Sequence, residues 1–217
     1  MTAPTISPDR TVTPAEAMDA IYRGATCVLV LGDGRRTRID ARPWAAAATP
    51  TDVELFVEPC DGPTLDVGCG PGRLAGALAD RAVDATGIDI SPEAVRQTRA
   101  RGAAAILGDV HQLRGRRWRH VLLADGNVGI GGDPVALLAR VSSLLLPRGT
   151  VLVELADAPG VRVHDNVHLW LAGRTTTPFA WATVGAAGIA DVARAAGLRV
   201  AGLNRAGGRE VVTLAHA

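Results

Sequence analysis

Residues 65–74 read Leu-Asp-Val-Gly-Cys-Gly-Pro-Gly-Arg-Leu and constrain the fold more than any other segment. A β-prone run closes on an acid, glycines follow at Gly68, Gly70 and Gly72, and an Ala/Leu-rich helical pattern opens behind them. Glycine lets backbone approach a ligand closely, and the free N–H groups that open a helix favour anionic groups. The segment therefore predicts a strand, a tight turn and a helix N-terminus, the arrangement that cradles a nucleotide-like ligand. Taken alone, the turn also fits a dinucleotide-binding fold of the NAD type.

From Thr64 the chain alternates strand and helix. Strand-like runs at 64–67, 85–88, 104–107, 121–124 and 150–155 are separated by helical patterns at 72–81, 92–101 and 134–146. Ser91-Pro92 is a marked helix start, with Ser91 as N-cap and proline at the first helical position. Five strands with helical crossovers predict an α/β fold with a mostly parallel sheet covered on both faces. A helix at 185–196 and strands at 198–203 and 210–214, joined by Gly207-Gly208, complete the pattern. Residues 157–183 interrupt it with Pro, Gly, His, Trp and Thr, and are expected to form an insertion on the substrate side.

Upstream, residues 1–13 are expected to be a loose arm. Thr13-Pro14-Ala15-Glu16 starts a helix that runs to about Arg23, and Gly32-Asp33-Gly34 joins strands at 27–31 and 35–40 into a hairpin. A second helix is expected after Thr51-Asp52, ending before Gly62-Pro63. The expected division is thus an N-terminal extension at 1–60, acting as a lid or flank, and a ligand-binding domain at 61–217.

Composition narrows the chemistry. The formal charge of +1 gives no global attraction to nucleic acid or membrane. All 23 basic residues are arginine, so Schiff-base chemistry and a lysine general base are excluded. Cys27, Cys60 and Cys69 are odd in number and lack Cys-x-x-Cys spacing, which suggests neither a disulfide framework nor a zinc site. With no apolar leader at the N-terminus and no membrane-length apolar run, a soluble cytoplasmic protein is expected, as monomer or homodimer.

Two further elements sharpen the glycine turn. Asp89 ends the second strand in Thr86-Gly87-Ile88-Asp89-Ile90-Ser91, and Gly108-Asp109-Val110 ends the third. With Asp66 to Gly72 they resemble motifs I, II and III of the class I S-adenosylmethionine (SAM) dependent methyltransferases, over residues 60–155. The resemblance implies a Rossmann-like sheet of seven strands with an antiparallel C-terminal hairpin. It also implies SAM as cofactor and S-adenosylhomocysteine (SAH) as product. Gly68, Cys69, Gly70 and Gly72 would hold the methionine carboxylate end and Asp66 would sit near the ammonium. Asp89 and Ile90 would take the ribose side, and Gly108, Asp109 and Val110 the adenine.

The fourth strand ends in Asp125-Gly126-Asn127-Val128-Gly129-Ile130-Gly131-Gly132-Asp133-Pro134, which resembles a loop of a bacterial group of methyltransferase-like proteins. It is unlike the Asn-Pro-Pro-Tyr motif of nucleobase and glutamine methyltransferases. Asp125 and Asn127 would face the methionine end of SAM or the acceptor. Asp133 would touch substrate or cap the next helix.

Candidate general bases are Asp125, His111 and His164, although His111 also suits a cofactor cover or an exposed surface. Trp170 and Trp181 would line an acceptor pocket or pack in the core. His164 and His168 are four apart, but without a spaced acidic partner no metal site is assigned. The basic run Arg114, Arg116, Arg117 and Arg119 reads as a solvated loop. Methyl transfer to a small molecule by in-line displacement is the expected activity. The competing expectations are a non-methylating or non-catalytic use of SAM, and RNA or protein methylation.

Overall fold

The computed structural model describes residues 11–115 and 117–217. The chain starts with β1 (Thr11–Val12), α1 (Pro14–Tyr22), β2 (Cys27–Val30), β3 (Arg36–Ile39), α2 (Arg42–Ala45) and α3 (Pro50–Asp52). Helix α3 passes directly into a π-helical turn at Val53–Val57. Strand and helix then alternate through β4 (Thr64–Val67), α4 (Arg73–Asp80), β5 (Ala85–Asp89), α5 (Pro92–Ala100) and β6 (Ala104–Leu107). Next come β7 (Trp118–Leu123), α6 (Pro134–Ser142), β8 (Leu145–Glu154), β9 (Val161–Leu171), β10 (Arg174–Thr176) and β11 (Phe179–Val184). The chain closes with α7 (Ala186–Ala195), β12 (Leu198–Ala206) and β13 (Arg209–His216).

Seven strands form the main sheet in the order β12-β13-β8-β7-β4-β5-β6. All run parallel except β13, which is antiparallel to both neighbours. The strand period of two sorts the apolar side chains between two cores. Val121, Leu123, Val151 and Val153 join the core beneath α6 and α7. Leu122, Ala124 and Leu152 join the other, against Leu55, Phe56, Leu74 and Leu78. The order reverses between β4 and β7, and ligands settle beyond the C-terminal ends of strands at such a reversal.

A second sheet stands over that end, in the order β1-β10-β9-β2-β3, with β11 also paired to β9. It joins distant parts of the chain, because Val28 pairs with Trp170, Leu29 with Leu169 and Val30 with His168. Helix α1 packs on it through Ala17 and Ile21, against Cys27, Leu169 and Leu171. Asp19 of α1 then reaches the main domain. Its carboxylate accepts the Ser91 hydroxyl and, at 3.0 Å, the Glu93 N–H, both at the start of α5.

Several expectations are corrected. Thr11 and Val12 pair with Thr175 and Thr176 as a strand, not an arm, while residues 1–10 of the expected arm lie outside the described residues. The second helix starts earlier, at Pro50, because Thr49 and Asp52 form a reciprocal capping box. Helix α6 ends at Ser142 rather than Leu146, and Leu145 already pairs with Trp118. Pro147, which lacks a donor, suits strand edge better than helix. Residues 157–183 are mostly three strands, whose alternation Val167, Leu169, Leu171 was masked by the polar residues between.

Arg116 of the basic run lies outside the described residues. Arg117 donates to the Leu145 carbonyl at 3.1 Å and Arg119 to the Arg148 carbonyl at 2.8 Å.

Candidate functional site

Between the two sheets lie two adjoining chambers of about 340 and 330 Å3. Tyr22, Gly68, Asn127, Phe179 and Trp181 line both. The first chamber also touches Asp66, Cys69, Gly70, Arg73, Asp125 and, from the N-terminal segment, Leu29, Ile39, Asp40 and Trp44. The second touches Ile88, Asp89, Ile90, Gly108, Asp109 and Val110.

The glycine loop is held by its own backbone. The N–H groups of Gly68 and Cys69 both donate to the Ile88 carbonyl, at 2.8 and 3.2 Å. Gly72 has φ +83°, and a Cβ there would lie 2.7 Å from the Thr98 Cα, so both conformation and space require glycine. Thr98 fixes the loop from the other side, its hydroxyl donating to the Gly70 carbonyl at 2.9 Å. Cys69 is buried and touches Thr98, and burial pushes its thiol well above the usual range. It is a packing residue of the loop.

Asp89 accepts the Gly70 N–H at 3.0 Å and the Ser91 N–H at 2.9 Å, which ties the first loop to the second. Burial raises its carboxyl despite these bonds. Beside it, Ile90 is 46% exposed, an apolar face open to the second chamber. Asp109 caps the turn that follows it, accepting the His111 N–H at 2.9 Å, while Val110 is buried beneath.

Asp66 is 3% exposed, and burial pushes its carboxyl up to about 7 although Arg73 pulls the other way. Among the described residues no cation forms an ion pair with it, and such a group favours a cation brought by a ligand.

Residues that sequence reasoning passed over dominate the rest of the site. Arg73 is buried between Asp52, which it pairs with, and Asp125 at 2.5 Å. Arg209 reaches Asp52 at 2.6 Å and Glu154 at 2.6 Å, and Glu154 accepts the Asp125 N–H at 2.7 Å. Asp125 has φ +51°, a left-handed conformation that costs about 1 kcal/mol or more for a non-glycine residue. This network holds it there. Burial and Glu154 raise its carboxyl, against the pull of Arg73 and Arg209.

Tyr22 was also missed. Its hydroxyl lies 3.3 Å from where a Gly70 Cβ would sit, and its ring meets Trp44 edge-on at 6.4 Å. Burial and the surrounding carboxylates push the phenol well above its ordinary range, so it stays a neutral donor. Its signal was faint in sequence, since it is the single tyrosine in an ordinary amphipathic helix.

The geometry gathers Asp66, Gly68, Cys69, Gly70, Asp89, Ile90, Gly108, Asp109, Val110, Asp125, Asn127 and Trp181 at the two chambers. It does not bring the others there. Asn127 spends its amide N–H groups on the Val67 and Gly68 carbonyls, at 2.9 and 3.1 Å, stitching the fourth-strand loop to the first. Asp133 is exposed and caps α6 through the Ala136 N–H at 2.9 Å. His111 is exposed and lines neither chamber. His164 pairs across from Trp181 on β9 and also lines neither. It shares a strand with His168, not a helix face, which separates them by about 13 Å. Trp170 lies on the other face of β9 from the buried Leu169 and Leu171, away from the chambers. An extended strand sends alternate side chains to opposite faces.

Gly129 shows why the fourth-strand loop is glycine-rich. A Cβ there would meet the Ala182 carbonyl oxygen at 1.8 Å, where the loop bridges Ile130 to Trp181. Gly129→Ala is expected to lower stability by about 3 kcal/mol, read as a fall in melting temperature. An unchanged melting point would show that β11 yields freely.

Residues 64–149 match the family model described as a methyltransferase domain. Searched by sequence, curated proteins give no match. A SAM-dependent methyltransferase from Bacteroides fragilis, solved with S-adenosyl-L-homocysteine, is 20% identical with a TM-score of 0.78; the match covers 97% of this chain and 100% of that one. The methyltransferase CcbJ from Streptomyces caelestis is 21% identical with a TM-score of 0.59, over 80% of this chain and 92% of that one. The 1,6-didemethyltoxoflavin-N1-methyltransferase of Burkholderia thailandensis is 19% identical with a TM-score of 0.60, over 100% and 93%. The fold, with its antiparallel β13 between β8 and β12, is that of the class I SAM-dependent methyltransferases.

Proposed function

We propose that this chain, whose residues 64–149 form a methyltransferase domain on the class I fold, transfers the methyl group of SAM to a small-molecule acceptor. The carrying observation is the pair of chambers that meet at Gly68, Tyr22 and Asn127. One has an acid and an apolar face suited to a ribose and a base; the other runs from the glycine loop and Asp66 past Asp125 to Trp44 and Phe179, where a second molecule fits.

The residues present fit SAM. Asp66 is a buried carboxylate short of a cation, matching an ammonium. Gly68 and Gly70 put bare backbone on the chamber wall, while Gly72 lines neither chamber and packs against Thr98. Asp89 would take the ribose hydroxyls, Ile90 and Val110 the base, and the start of α4 the carboxylate. When bound, SAM supplies an electrophilic methyl on a sulfonium. The protein's part is to align the acceptor and exclude water. Tyr22, a neutral donor at the junction, orients whatever spans the two chambers. Asp125 is the carboxylate placed to take a proton from the acceptor side.

In this reading residues 11–60 and the strands at 161–184 act together as a lid. The division of the chain into a 1–60 extension and a 61–217 domain becomes one lid of two segments on one binding domain.

Calorimetric titration with SAH tests the proposal. Because Asp66 is held near 7 when empty, an ammonium beside it should drive off a proton. Binding at pH 6 is expected to release close to one proton, seen as a dependence of the heat on buffer ionisation enthalpy, and the release should fade above pH 8. Asp66→Asn should abolish it. No SAH binding would overturn the cofactor assignment, and binding without proton release would overturn the role of Asp66. The same shift makes the empty fold lose stability as pH rises from about 4 through 7, where the folded state alone keeps the proton.

A further inference from the structure

The first chamber is unusual in what lines it. The chain has only seven aromatic side chains, four Trp, one Tyr and two Phe. Tyr22, Trp44, Phe179 and Trp181 line this chamber, Trp44 in it alone and the other three where it joins the second. They come from α1, α2 and β11, and all four are half-buried rather than packed away. Rings left part-open in a cavity offer flat faces to a ligand and negative faces to a cation.

The ionisable lining is mostly acidic. Asp66, Asp125 and Asp40 are the carboxylates. The single lining cation, Arg73, is already bound to Asp52 and Asp125. Asp40 is paired to the exposed Arg42 at 2.7 Å. Among the described residues, therefore, the chamber holds no arginine or histidine free to receive an anion.

We propose that the acceptor is an amine carried on a flat aromatic ring system, held between these rings and the Asp125 carboxylate, and that anionic acceptors are turned away. This rests on the methyl-transfer reading and narrows it to a substrate class. The chamber volume of about 340 Å3 lies at the small end of ligand sites, which suits a compact ring system rather than a peptide or nucleic acid.

Three probes separate the contributions: tryptamine, indole-3-acetate with the same ring and the opposite charge, and 2-cyclohexylethylamine with the same ammonium and no aromatic ring. Each is titrated calorimetrically into the full-length protein, with and without saturating SAH. Tryptamine is expected to bind at least tenfold more tightly than either of the others. Trp44→Ala, at a side chain that lines the first chamber and not the second, should weaken tryptamine at least fivefold while SAH affinity stays within twofold. Equal or tighter binding of indole-3-acetate, or no preference over the cyclohexyl amine, overturns the proposal. So does SAH binding with no tryptamine binding. Failure of SAH itself to bind falls on the cofactor reading instead, and the probe ranking in its absence still decides the chamber. The ranking on the unaltered protein decides the matter even if a tryptophan variant fails to fold.

Discussion

Asp89→Ala is expected to weaken SAH binding by about a hundredfold or more, the largest loss any single side chain of the second chamber should produce. Two effects combine. The carboxylate is the acceptor placed for a ribose diol, and hydrogen bonds to a charged group contribute about 1.5–3 kcal/mol each. It also accepts the Gly70 and Ser91 N–H groups, so its removal frees the glycine loop from the start of α5. Two such bonds lost to ligand amount to about 3 kcal/mol or more, hence the factor of about a hundred. Asp89→Asn separates the effects. It can keep one acceptor for the loop while losing charge toward the ribose, so its melting temperature should stay nearer the parent's than its affinity does. SAH binding within threefold of the parent in Asp89→Ala would defeat the assignment of this chamber.

That prediction was legible before any coordinates, and the reason is local. Gly68, Gly70, Asp89 and Val110 each stand at or just beyond a strand end, where a backbone turn and one side chain border the two chambers. Short-range chemistry of this kind is written in adjacent residues. The parallel sheet was legible for a similar reason, because each crossover announces itself through a capped helix such as Ser91-Pro92. The acceptor side was not. Its walls pair Leu29 with Leu169 and bring Trp44, Tyr22 and Trp181 together from segments far apart in the chain. Val167, Leu169 and Leu171 carry a period of two, but with His168 and Trp170 between them it does not stand out in the sequence. His164 and His111 line neither chamber, while Tyr22 and Arg73, ordinary by residue type, line the first. Arg73 directly follows the glycine motif, but only its partners reveal what it does. Those partners, Asp52 and Asp125, are 21 residues before it and 52 after it.

Arg73→Met is therefore the second large effect expected, and it falls on stability. The guanidinium is 8% exposed and is shared by Asp52, itself 1% exposed, and Asp125. Removing one member of a buried ionic group leaves its partner's charge uncompensated and costs about 3–5 kcal/mol. Arg209 still reaches Asp52 at 2.6 Å, which favours the lower end, but it stands 4.0 Å from Asp125. For a chain of this size about 3 kcal/mol corresponds to a fall of roughly 6–12 °C in melting temperature. The dependence on pH identifies the cause. Burial pushes the Asp52 carboxyl up, yet hydrogen bonds from Arg73, Arg209 and Thr49 win and hold it well below the usual carboxylate range. A carboxylate depressed in the folded state contributes stability above its unfolded pKa of about 3.9, and that contribution is lost as pH falls through the folded value. The gap between parent and variant should be full at pH 7 and narrow below pH 4, as the variant's Asp52 takes up a proton that relieves its stranded charge. Adding Asp52→Asn to Arg73→Met should recover part of the loss at pH 7, since no buried carboxylate then lacks its partner. A gap unchanged at pH 3.5, with no recovery in the double variant, would mean that Arg73 acts by packing alone and that Asp125 is held in place by Glu154 and Arg209.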